Sequence, residues 1–491
     1  MQAFAQEPWR QELTGWMERQ YPLSAKAMMS AISAVQLVKE RRGFGRFIRP
    51  ARGSILASPV MAAYDPDPDY FFHWLRDSAV IVDALRSLIE SGEVTELEGL
   101  GHFRDFLRFS LTLSTLDGRD FLKGAGDFRA KVEPFFLQYV RPDSEFIALT
   151  GDSVLGEPRF DPDGAFDILK WSRPQHDGPA LRALSVTRFC ASVAAKDAEA
   201  LALAKQLLSR DLDFTLKRWR QPSFDIWEEE LGRHYYTQLV QCEALEQGGL
   251  WIAAAGETGL GRAYRAEAHA IAVSMDDFWS EEQGFHRSRI GANANAARHE
   301  KDLDIATLLA VIHSGRKQGS HSVLDSRVIA TVMQLEDLFA GLYKINQPPI
   351  QNRAPAMGRY RGDAYYGGGA YYFSTLGAAE FYFRAAGAAA DADILEWGRR
   401  GSDICRRLGI RHFDDAHHST LVKTLFRRGD MFMATVAAFT PSSGDLSEQF
   451  DQTTGAQTSA KSLAWSHAAF ISAYATRGEA LRKLERTEPS A

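Results

Sequence analysis

The chain has 491 residues, of which 45% are hydrophobic and 24% are charged, an ordinary composition for a globular protein. Its formal net charge is −6 and its sequence contains no basic block, which excludes the usual nucleic-acid-binding proteins with clustered Lys and Arg. No apolar stretch approaches the length that crosses a membrane, so a membrane partner is not expected.

The cysteines and the N-terminal residues indicate in which cellular compartment the protein lies. Cys190, Cys242 and Cys405 are widely spaced and lie in largely apolar stretches, which is typical of reduced core thiols. Residues 1–20 lack a positively charged start followed by an apolar run, so they do not resemble a signal peptide. Unless a leader has been removed, the sequence predicts a cytoplasmic protein.

Helical periodicity dominates the chain. In residues 78–89 apolar side chains recur at the spacing of one helix face. Residues 179–195 start with a proline and are apolar nearly all round, which is typical of a helix in an interior layer. Further helices are predicted over 241–255, 263–278, 305–313, 327–342, 371–386, 390–408 and 459–475. The best strand-like segment is 53–60.

Turn-rich connections separate these helices, and the residues that suit chemistry lie in or beside them. The sequence shows no linker, low-complexity tract or break in composition. It predicts a single, mainly helical domain over residues 1–491, built from helical hairpins whose loops converge on one site. Within it, residues 1–45 would form an N-terminal helical extension and 479–491 a short polar tail.

The segment SFDIWEEELGRHYYT places Trp227 beside three carboxylates, Glu228, Glu229 and Glu230. Such a run is usually a solvated helix face. Like charges beside an indole, however, raise the proton affinity of a carboxylate, and a neutral carboxylic acid can protonate a leaving group. A second segment, LSEQFDQTTGAQTSAKSLAW, offers Glu448. Two separated carboxylates are the minimum equipment for glycoside hydrolysis.

Three other segments combine rings with charged groups. In YFFHWLRDSA, Arg76 and Asp77 among Tyr70 and Trp74 suit a sugar as well as they suit helix capping and an ion pair. In WSRPQHDGPALR, Trp171 with Arg173, Asp177 and Arg182 suits a sugar, but taken alone a turn before a buried helix is favoured. In MGRYRGDAYYGGGAYYF, Arg359 and Asp363 suit a cleft, but a flexible loop is favoured.

No metal or cofactor is predicted. Asp65, Asp67 and Asp69 resemble the start of a calcium loop, but Tyr70 and Arg76 replace its glycine and its glutamate. The pair at 417–418 matches no standard zinc motif and is interpreted as a solvated turn. Dinucleotide, phosphate-loop and nucleophile-elbow motifs are absent from the sequence.

Seven blocks in order resemble glycoside hydrolase family 15, the glucoamylase family. They are GSILASPV, PDYFFHWLRDSA, LGEPRFD, WSRPQHDGPALRA, FDIWEEELGRHYYT, GRYRGDAYYGG and SEQFDQTTGAQTSAKSLAWSHAA. They cover residues 53–467, most of the chain. The resemblance implies an all-α fold, the (α/α)6 toroid of six helical hairpins, with active-site loops at one end.

The resemblance also implies roles for individual residues. Glu228 would be the general acid and Glu448 the general base, while Glu229 would bind a sugar hydroxyl on the leaving-group side. Arg76 and Asp77 would hold the terminal sugar. The full set of residues implied to bind substrate is Tyr70, Trp74, Arg76, Asp77, Trp171, Arg173, Asp177, Trp227, Glu229, Arg359, Asp363, Tyr365 and Trp465.

The implied activity is inverting exo-hydrolysis of α-glucosidic bonds at the non-reducing ends of soluble oligosaccharides, which releases β-glucose. Neutral Glu228 would protonate the glycosidic oxygen, and ionised Glu448 would deprotonate water on the opposite face of the sugar. Inversion predicts carboxylates about 6.5–9.5 Å apart. It also predicts a raised pKa for Glu228, from its neighbours and desolvation, and a charged Glu448.

The sequence departs from the family pattern where the family binds leaving-group sugars: at Arg361-Gly362, at 369–371 and at Glu230-Leu231. No room is expected for a starch-binding module, so short soluble α-glucosides are favoured over granular starch. A trehalase or an isomaltose- or dextran-type glucosidase of the same family remains an alternative. A non-catalytic sugar-binding regulatory protein is a second one. Oligomeric state is not predicted.

Overall fold

The computed structural model describes residues 7–291, 300–392, 395, 397–410 and 418–487, and these residues are mainly helical. They divide into two compact units. The first unit comprises residues 27–274 and 462–465, and the second comprises the rest. The single catalytic domain expected over residues 1–491 stays a prediction.

Helices and strands are numbered in chain order. The helices are α1 (Pro8–Ser30), α2 (Leu75–Glu90), α3 (Glu96–Leu113), α4 (Gly118–Ala125), α5 (Asp143–Ile147), α6 (Asp177–Ala191), α7 (Ala198–Arg218), α8 (Tyr235–Ala254), α9 (Thr258–Ser274), α10 (Ala306–Ser314), α11 (Ser326–Leu342), α12 (Tyr372–Ala390), α13 (Gly401–Arg407), α14 (His418–Phe439) and α15 (Ala464–Thr487). The strands are β1 (Lys39–Arg41), β2 (Arg46–Ile48), β3 (His73–Trp74), β4 (Arg159–Phe160), β5 (Ser223–Phe224), β6 (Leu231–His234), β7 (Trp279–Ser280), β8 (Phe285–His286), β9 (Arg289–Ile290), β10 (Ala370–Tyr371), β11 (Gln449–Phe450) and β12 (Gln457–Thr458).

The first unit is built on α6 and α8, whose side chains are buried nearly all round. Helix α6 packs against α2, α7 and α8, and α8 packs against α9. A buried ion pair, Arg182 to Asp211 at 2.6 and 2.9 Å, joins α6 to α7. Helices α8 and α9 approach so closely that a Cβ at Gly261 would lie 2.4 Å from the Gly249 carbonyl oxygen. The interior position expected for residues 179–195 is therefore confirmed.

The second unit is built around α12, which is buried along nearly its whole length and packs against α10 and α14. Its Tyr382 donates a hydrogen bond to Glu336 of α11, which also pairs with Arg428 of α14. The N-terminal part of α1 packs on α15, with the Trp16 and Phe470 ring centroids 5.5 Å apart.

The strands are short, and several of them lead directly into helices. Strand β3, antiparallel to β4, precedes α2, and β6, antiparallel to β5, precedes α8. In the second unit β10 precedes α12 and pairs with β11, which pairs with β12. These small sheets fix the chain at the N-termini of buried helices, where the predicted site residues lie.

The predicted helices are confirmed except over 390–408, where α12 ends at Ala390 and α13 begins only at Gly401. Residues 53–60 form no strand; Ile55 makes a single bridge with Ile32. The sequence also missed α3, α7 and α14. The described part of the polar tail, up to residue 487, is the end of α15. The turn predicted at 417–418 starts outside the described residues, whereas His418 begins α14.

No helix in the described parts of the chain combines the length and the apolarity that crossing a bilayer requires.

Candidate active site

Glu228 lies in the turn between β5 and β6, not on a helix face. The strands pair with Phe224 opposite Leu231, and Asp225 N–H donates to the Glu230 carbonyl oxygen at 3.1 Å. The Asp225 carboxylate accepts the N–H groups of Glu229 and Glu230 at 2.7 and 3.1 Å. Glu228 itself has a φ of 65°. The turn therefore holds Glu228 in a left-handed conformation that an isolated glutamate disfavours.

The carboxylate of Glu228 accepts four N–H donors. Trp74 Nε1, Gln175 Nε2 and Arg76 Nη2 donate to Oε1 at 2.9, 3.0 and 3.3 Å. Trp171 Nε1 donates to Oε2 at 2.5 Å. The side chain is 13% exposed, so it lies close to solvent while its orientation is fixed. A carboxyl group in this setting can give up a proton, because the resulting charge meets donors already in place.

Arg76 is the charged member of this donor set. It lies in the first turn of α2, where its Nη1 also donates to Asp177 Oδ2 at 2.9 Å and to Gln175 Oε1 at 3.0 Å. Burial by itself would lower the pKa of Arg76, but the carboxylates of Asp177, Glu228 and Asp77 raise it above its usual value. Arg76 therefore stays a cation and orients Glu228.

Aromatic rings line this group of residues. The Trp74 and Trp171 centroids lie 6.4 Å apart, and Tyr70 lies 5.2 Å from Trp74. Arg159 covers one face of Trp171, with its guanidinium carbon 3.5 Å from the ring centroid, and the indole is still 39% exposed. A ring held this way is suited to packing against the apolar face of a sugar. Trp227, by contrast, is buried.

Arg173 is bound by acceptors of the first unit. Its Nε donates to Glu157 at 2.8 Å, its Nη2 to Asp167 at 3.3 Å and its Nη1 to the Leu169 carbonyl oxygen at 3.1 Å. All three nitrogens therefore have acceptors within the protein. Substrate binding by Arg173 stays a prediction.

The remaining predicted residues of the first unit differ in exposure. Asp77 and Asp177 are buried in the first turns of α2 and α6, with Asp177 bound to Arg76. Glu229 is exposed at the tip of the β5–β6 turn. Trp465 is buried at the start of α15, next to Ala464, whose N–H donates to the Ala57 carbonyl oxygen at 2.9 Å.

Glu448 lies in the second unit, immediately before β11, and is buried. Its N–H donates to the Ala460 carbonyl oxygen at 2.7 Å, and its carbonyl accepts from Tyr372 N–H at 3.2 Å. The Ser459 hydroxyl donates to Glu448 Oε2 at 2.5 Å. Arg359 Nη2 lies 3.7 Å from Oε1. These contacts fix the Glu448 carboxylate beside a cation and a hydroxyl donor.

Arg359 is held by two tyrosine rings. Its guanidinium carbon lies 4.8 Å from the Tyr365 centroid and 4.7 Å from that of Tyr371. Asp363 accepts the Tyr371 hydroxyl at 3.2 Å and Tyr365 N–H at 3.0 Å. Burial raises the pKa of Tyr371 well above its usual value although the charge of Arg359 opposes this, so the Tyr371 hydroxyl remains a donor. The second unit thus brings Arg359, Asp363 and Tyr365 together beside Glu448.

Several residues that contact the site groups were not predicted from the sequence. Gln175 lies inside a segment already singled out, yet nothing in the sequence distinguished its amide from a turn residue. Ser459 contacts Glu448 from eleven positions along the chain. Gln449 Nε2 donates to the Tyr371 hydroxyl at 2.8 Å. Contacts of this kind are set by tertiary packing, so neither spacing nor residue type points to these three residues.

The described residues hold one group with metal-binding geometry, His286, His321 and Asp325. It shares no residue with the surroundings of Glu228 or Glu448 described above. The predicted site residues themselves therefore offer no His or Cys ligand set.

Comparison with known proteins identifies a family. The family model described as glycosyl hydrolases family 15 matches residues 137–475. A glucoamylase from Blastobotrys adeninivorans is 28% identical over 459 residues, covering 87% of this chain and 68% of that protein. Glucoamylase 1 from Rhizopus oryzae is 29% identical over 477 residues, covering 90% of this chain and 71% of that protein.

A solved structure also matches. The glycoside hydrolase family 15 glucoamylase from Hypocrea jecorina aligns with a TM-score of 0.77 at 24% identity, covering 95% of this chain and 72% of that one. This likeness shows the fold. The predicted fold class, an all-α (α/α)6 toroid, is confirmed.

Proposed function

The chain belongs to glycoside hydrolase family 15, and we propose that it hydrolyses α-glucosidic bonds by inversion, from the non-reducing ends of soluble oligosaccharides, releasing β-glucose. The observation that supports this most is the donor set on Glu228. Two indoles, an amide and a guanidinium converge on one carboxylate next to the exposed Trp171 ring. Such a set of donors stabilises the negative charge that a general acid carries after proton transfer.

We assign Glu228 the role of general acid. In its neutral form it transfers its proton to the glycosidic oxygen as the bond from that oxygen to the anomeric carbon breaks. The carboxylate that remains is stabilised by hydrogen bonds from the four N–H donors that already point at it. Positioned donors of this kind need no reorganisation during the step, which lowers its barrier.

We assign Glu448 the role of general base. It accepts a proton from the water whose oxygen attacks the anomeric carbon on the face opposite the departing sugar. Its backbone is held at both the N–H and the carbonyl, and Ser459 fixes one carboxylate oxygen. The other oxygen, on the Arg359 side, is the one we propose receives the proton.

We propose that substrate is bound by the residues around these two glutamates. Asp77 and Arg76 would bind hydroxyls of the terminal sugar, and Trp171 would pack against an apolar sugar face. Glu229, exposed beside Glu228, would bind the leaving-group sugar. Arg359, Asp363 and Tyr365 would complete the set next to Glu448. In contrast, Trp227 and Arg173 are proposed to support the site from behind it.

Glucosyl fluoride separates the two roles, because fluoride leaves without protonation. Glu228→Gln should lower turnover of maltose about 10²–10⁴-fold but leave turnover of α-glucosyl fluoride nearly intact. Glu448→Gln should lose both activities. Glu230→Gln, two residues further along the same turn and without an assigned role, is the matched control. Equal loss of both substrates in Glu228→Gln would show that Glu228 is not the acid.

The stereochemistry of the first product tests inversion. Proton NMR of the fresh reaction on an α-glucoside should show β-glucose first. If α-glucose appears first, the single-displacement assignment is wrong.

The alternatives are less favoured. A panel of maltose, isomaltose, trehalose and maltotetraose distinguishes glucoamylase-type activity from a trehalase or an isomaltose-type enzyme. A non-catalytic regulatory protein is disfavoured because Glu228 and Glu448 are both present and both held by donors. Absence of hydrolysis across the whole panel would favour the non-catalytic regulatory protein instead.

We also propose a cytoplasmic location. Cys190, Cys242 and Cys405 are all free thiols and buried, which suits a reducing compartment. Cell fractionation of the native host tests this proposal, and recovery of the protein outside the cell would refute it.

A further inference from the structure

A buried group of ligand-type side chains lies in the second unit, apart from the catalytic machinery. His286 belongs to β8, His321 lies in the connection after α10, and Asp325 is the N-cap residue of α11. A ring nitrogen of each histidine and a carboxylate oxygen of Asp325 all lie within 4.8 Å of one another. The two imidazole centroids are 5.2 Å apart. Residues distant in sequence thus bring three potential metal ligands together.

We propose that His286, His321 and Asp325 bind a first-row divalent cation, with Zn²⁺ as the fitting ion. Two imidazoles and one carboxylate are a ligand set that zinc uses in proteins, with a fourth position left for water. Zinc bonds of about 2.0–2.1 Å place tetrahedral ligands about 3.4 Å apart. The side chains would therefore close by roughly an ångström on binding, a shift within reach of small rotations about their χ angles.

Both imidazoles are buried. His286 and His321 are 1% and 3% exposed. Side chains buried to this degree are held in place by the packing around them, so the short spacing of their ring nitrogens is a fixed feature of the fold.

Two of the three arginines near the group are each paired with a carboxylate. Arg327 lies 2.9 Å from Asp276, and Arg400 lies 3.1 Å from Glu281. Both guanidiniums sit over the Trp279 ring, at 5.4 and 4.6 Å from its centroid. Arg316, the third cation, donates to the Ser320 carbonyl oxygen at 3.1 Å. The Asp325 carboxylate thus lies among cations whose charge is largely compensated.

The carboxylate is also held in place. Its Oδ2 accepts His321 N–H at 2.7 Å, and its Oδ1 accepts Arg327 N–H at 2.8 Å. Each oxygen keeps a second lone pair, so coordination does not require these bonds to break. A bound ion would join β8 to the connection before α11 and act as a structural clip. This role is independent of the proposed catalytic roles.

The test uses the full-length, tag-free protein after dialysis against a chelator. Wild type should bind one equivalent of Zn²⁺ in a titration followed by metal analysis. Co²⁺ should give the visible absorption of a tetrahedral site, and Zn²⁺ should raise the melting temperature in a concentration-dependent way. Hydrolysis by the chelated protein gives a separate check that it is folded.

Two variants remove a ligand while suiting the local backbone. Asp325→Asn keeps an N-cap side chain, and His321→Asn keeps a residue that tolerates the φ of 62° at this position. Because loss of even an outer partner of a metal costs about 10–100-fold in affinity, each variant should weaken Zn²⁺ binding at least that much. His269→Gln, on an exposed position of α9, is the matched control and should bind as wild type does.

Three results would overturn the proposal. One is that wild type does not bind one saturable equivalent of Zn²⁺. Another is that wild type and both ligand variants bind Zn²⁺ with equal affinity. The third is loss of binding in His269→Gln alone. Retained hydrolysis in the ligand variants shows that weakened binding does not reflect unfolding.

Discussion

Trp171 donates its indole N–H to Glu228 Oε2 at 2.5 Å while its ring remains 39% exposed. The edge of one side chain therefore contacts the proposed acid, and its face is open to a ligand. The ring is held in this orientation by Arg159 stacked 3.5 Å above its centroid. If the ring binds sugar as proposed, this arrangement would couple that binding to the position of the proposed acid.

Trp171→Phe removes the N–H donor and retains an aromatic face. Hydrogen bonds to charged groups contribute about 1.5–3 kcal/mol, so kcat/KM for maltose should fall roughly 10–150-fold. Steady-state kinetics on maltose measure the effect.

The matched control is Trp219→Phe, which removes an indole donor to Glu267 at 2.8 Å, away from Glu228. It should leave kcat/KM for maltose nearly unchanged. If both variants lower kcat/KM equally, the loss in Trp171→Phe does not come from the bond to Glu228.

Ser459→Gly removes the hydroxyl that Glu448 Oε2 accepts. Glycine is the appropriate replacement because Ser459 has a φ of 61°, where alanine would add strain. The Glu448 carboxylate loses the donor that fixes one of its oxygens, so kcat/KM for maltose should fall by at least about 10-fold. Steady-state kinetics on maltose provide the measurement.

Ser462→Gly offers a control with the same backbone change, because Ser462 has a φ of 46°. It should leave kcat/KM nearly unchanged. A loss of equal size in both variants would assign the effect to backbone freedom instead of the lost hydroxyl.

The local structure that holds Glu228 could not be predicted from the sequence. Glutamate has a high helix propensity, so the run from Glu228 to Glu230 suits a helix by itself. The structure has a β-turn instead, because the Asp225 carboxylate binds two backbone N–H groups of the run. The Asp225 side chain and the pairing of β5 with β6 thus override the helix propensity of the run.

Two arginines show the same limit of what the sequence can predict about the site. Arg76 and Arg173 both lie in segments rich in rings and charges, and both were predicted to bind substrate. Only Arg76 contacts Glu228, whereas Arg173 is engaged by Glu157 and Asp167. Which carboxylate a guanidinium meets is decided by tertiary packing, and neither spacing nor residue type contains that information.

Asp225 should be a positioning residue for Glu228. Asp225→Ala removes the acceptor of the Glu229 and Glu230 N–H groups, so the left-handed turn loses its anchor. Misplacement of the acid by about an ångström costs up to about 10²-fold, and kcat should fall on that scale with a small change in KM. Kinetics on maltose and α-glucosyl fluoride give the measurement.

Asp225→Asn keeps an oxygen acceptor in the same place and should restore most of kcat. Because fluoride needs no acid, Asp225→Ala should lose less activity on α-glucosyl fluoride than on maltose. Equal losses on both substrates would show that Asp225 supports the fold in general and not the acid in particular.

His73 should make the protein sensitive to acid. It is fully buried in β3, and its Nδ1 accepts Ile55 N–H at 3.0 Å. Burial, with a smaller effect of Arg182, lowers the pKa of His73 to about 3, against about 6.5 in an unfolded chain. Below about pH 6.5 the His73 imidazole therefore binds a proton in the unfolded state but stays neutral in the folded state. The stability contributed by neutral His73 is complete above that pH and is lost progressively as the pH falls towards 3.

His73→Asn separates this effect from packing, because the amide oxygen can accept the Ile55 N–H and does not titrate. The variant should be less stable than wild type near pH 7. From about pH 6.5 to pH 4, however, its free energy of unfolding should fall less steeply, by up to about 1.4 kcal/mol per pH unit. Urea midpoints across this range, with exposed His269→Asn as the control, measure the slopes. Parallel slopes for wild type and His73→Asn would mean that His73 does not govern acid stability.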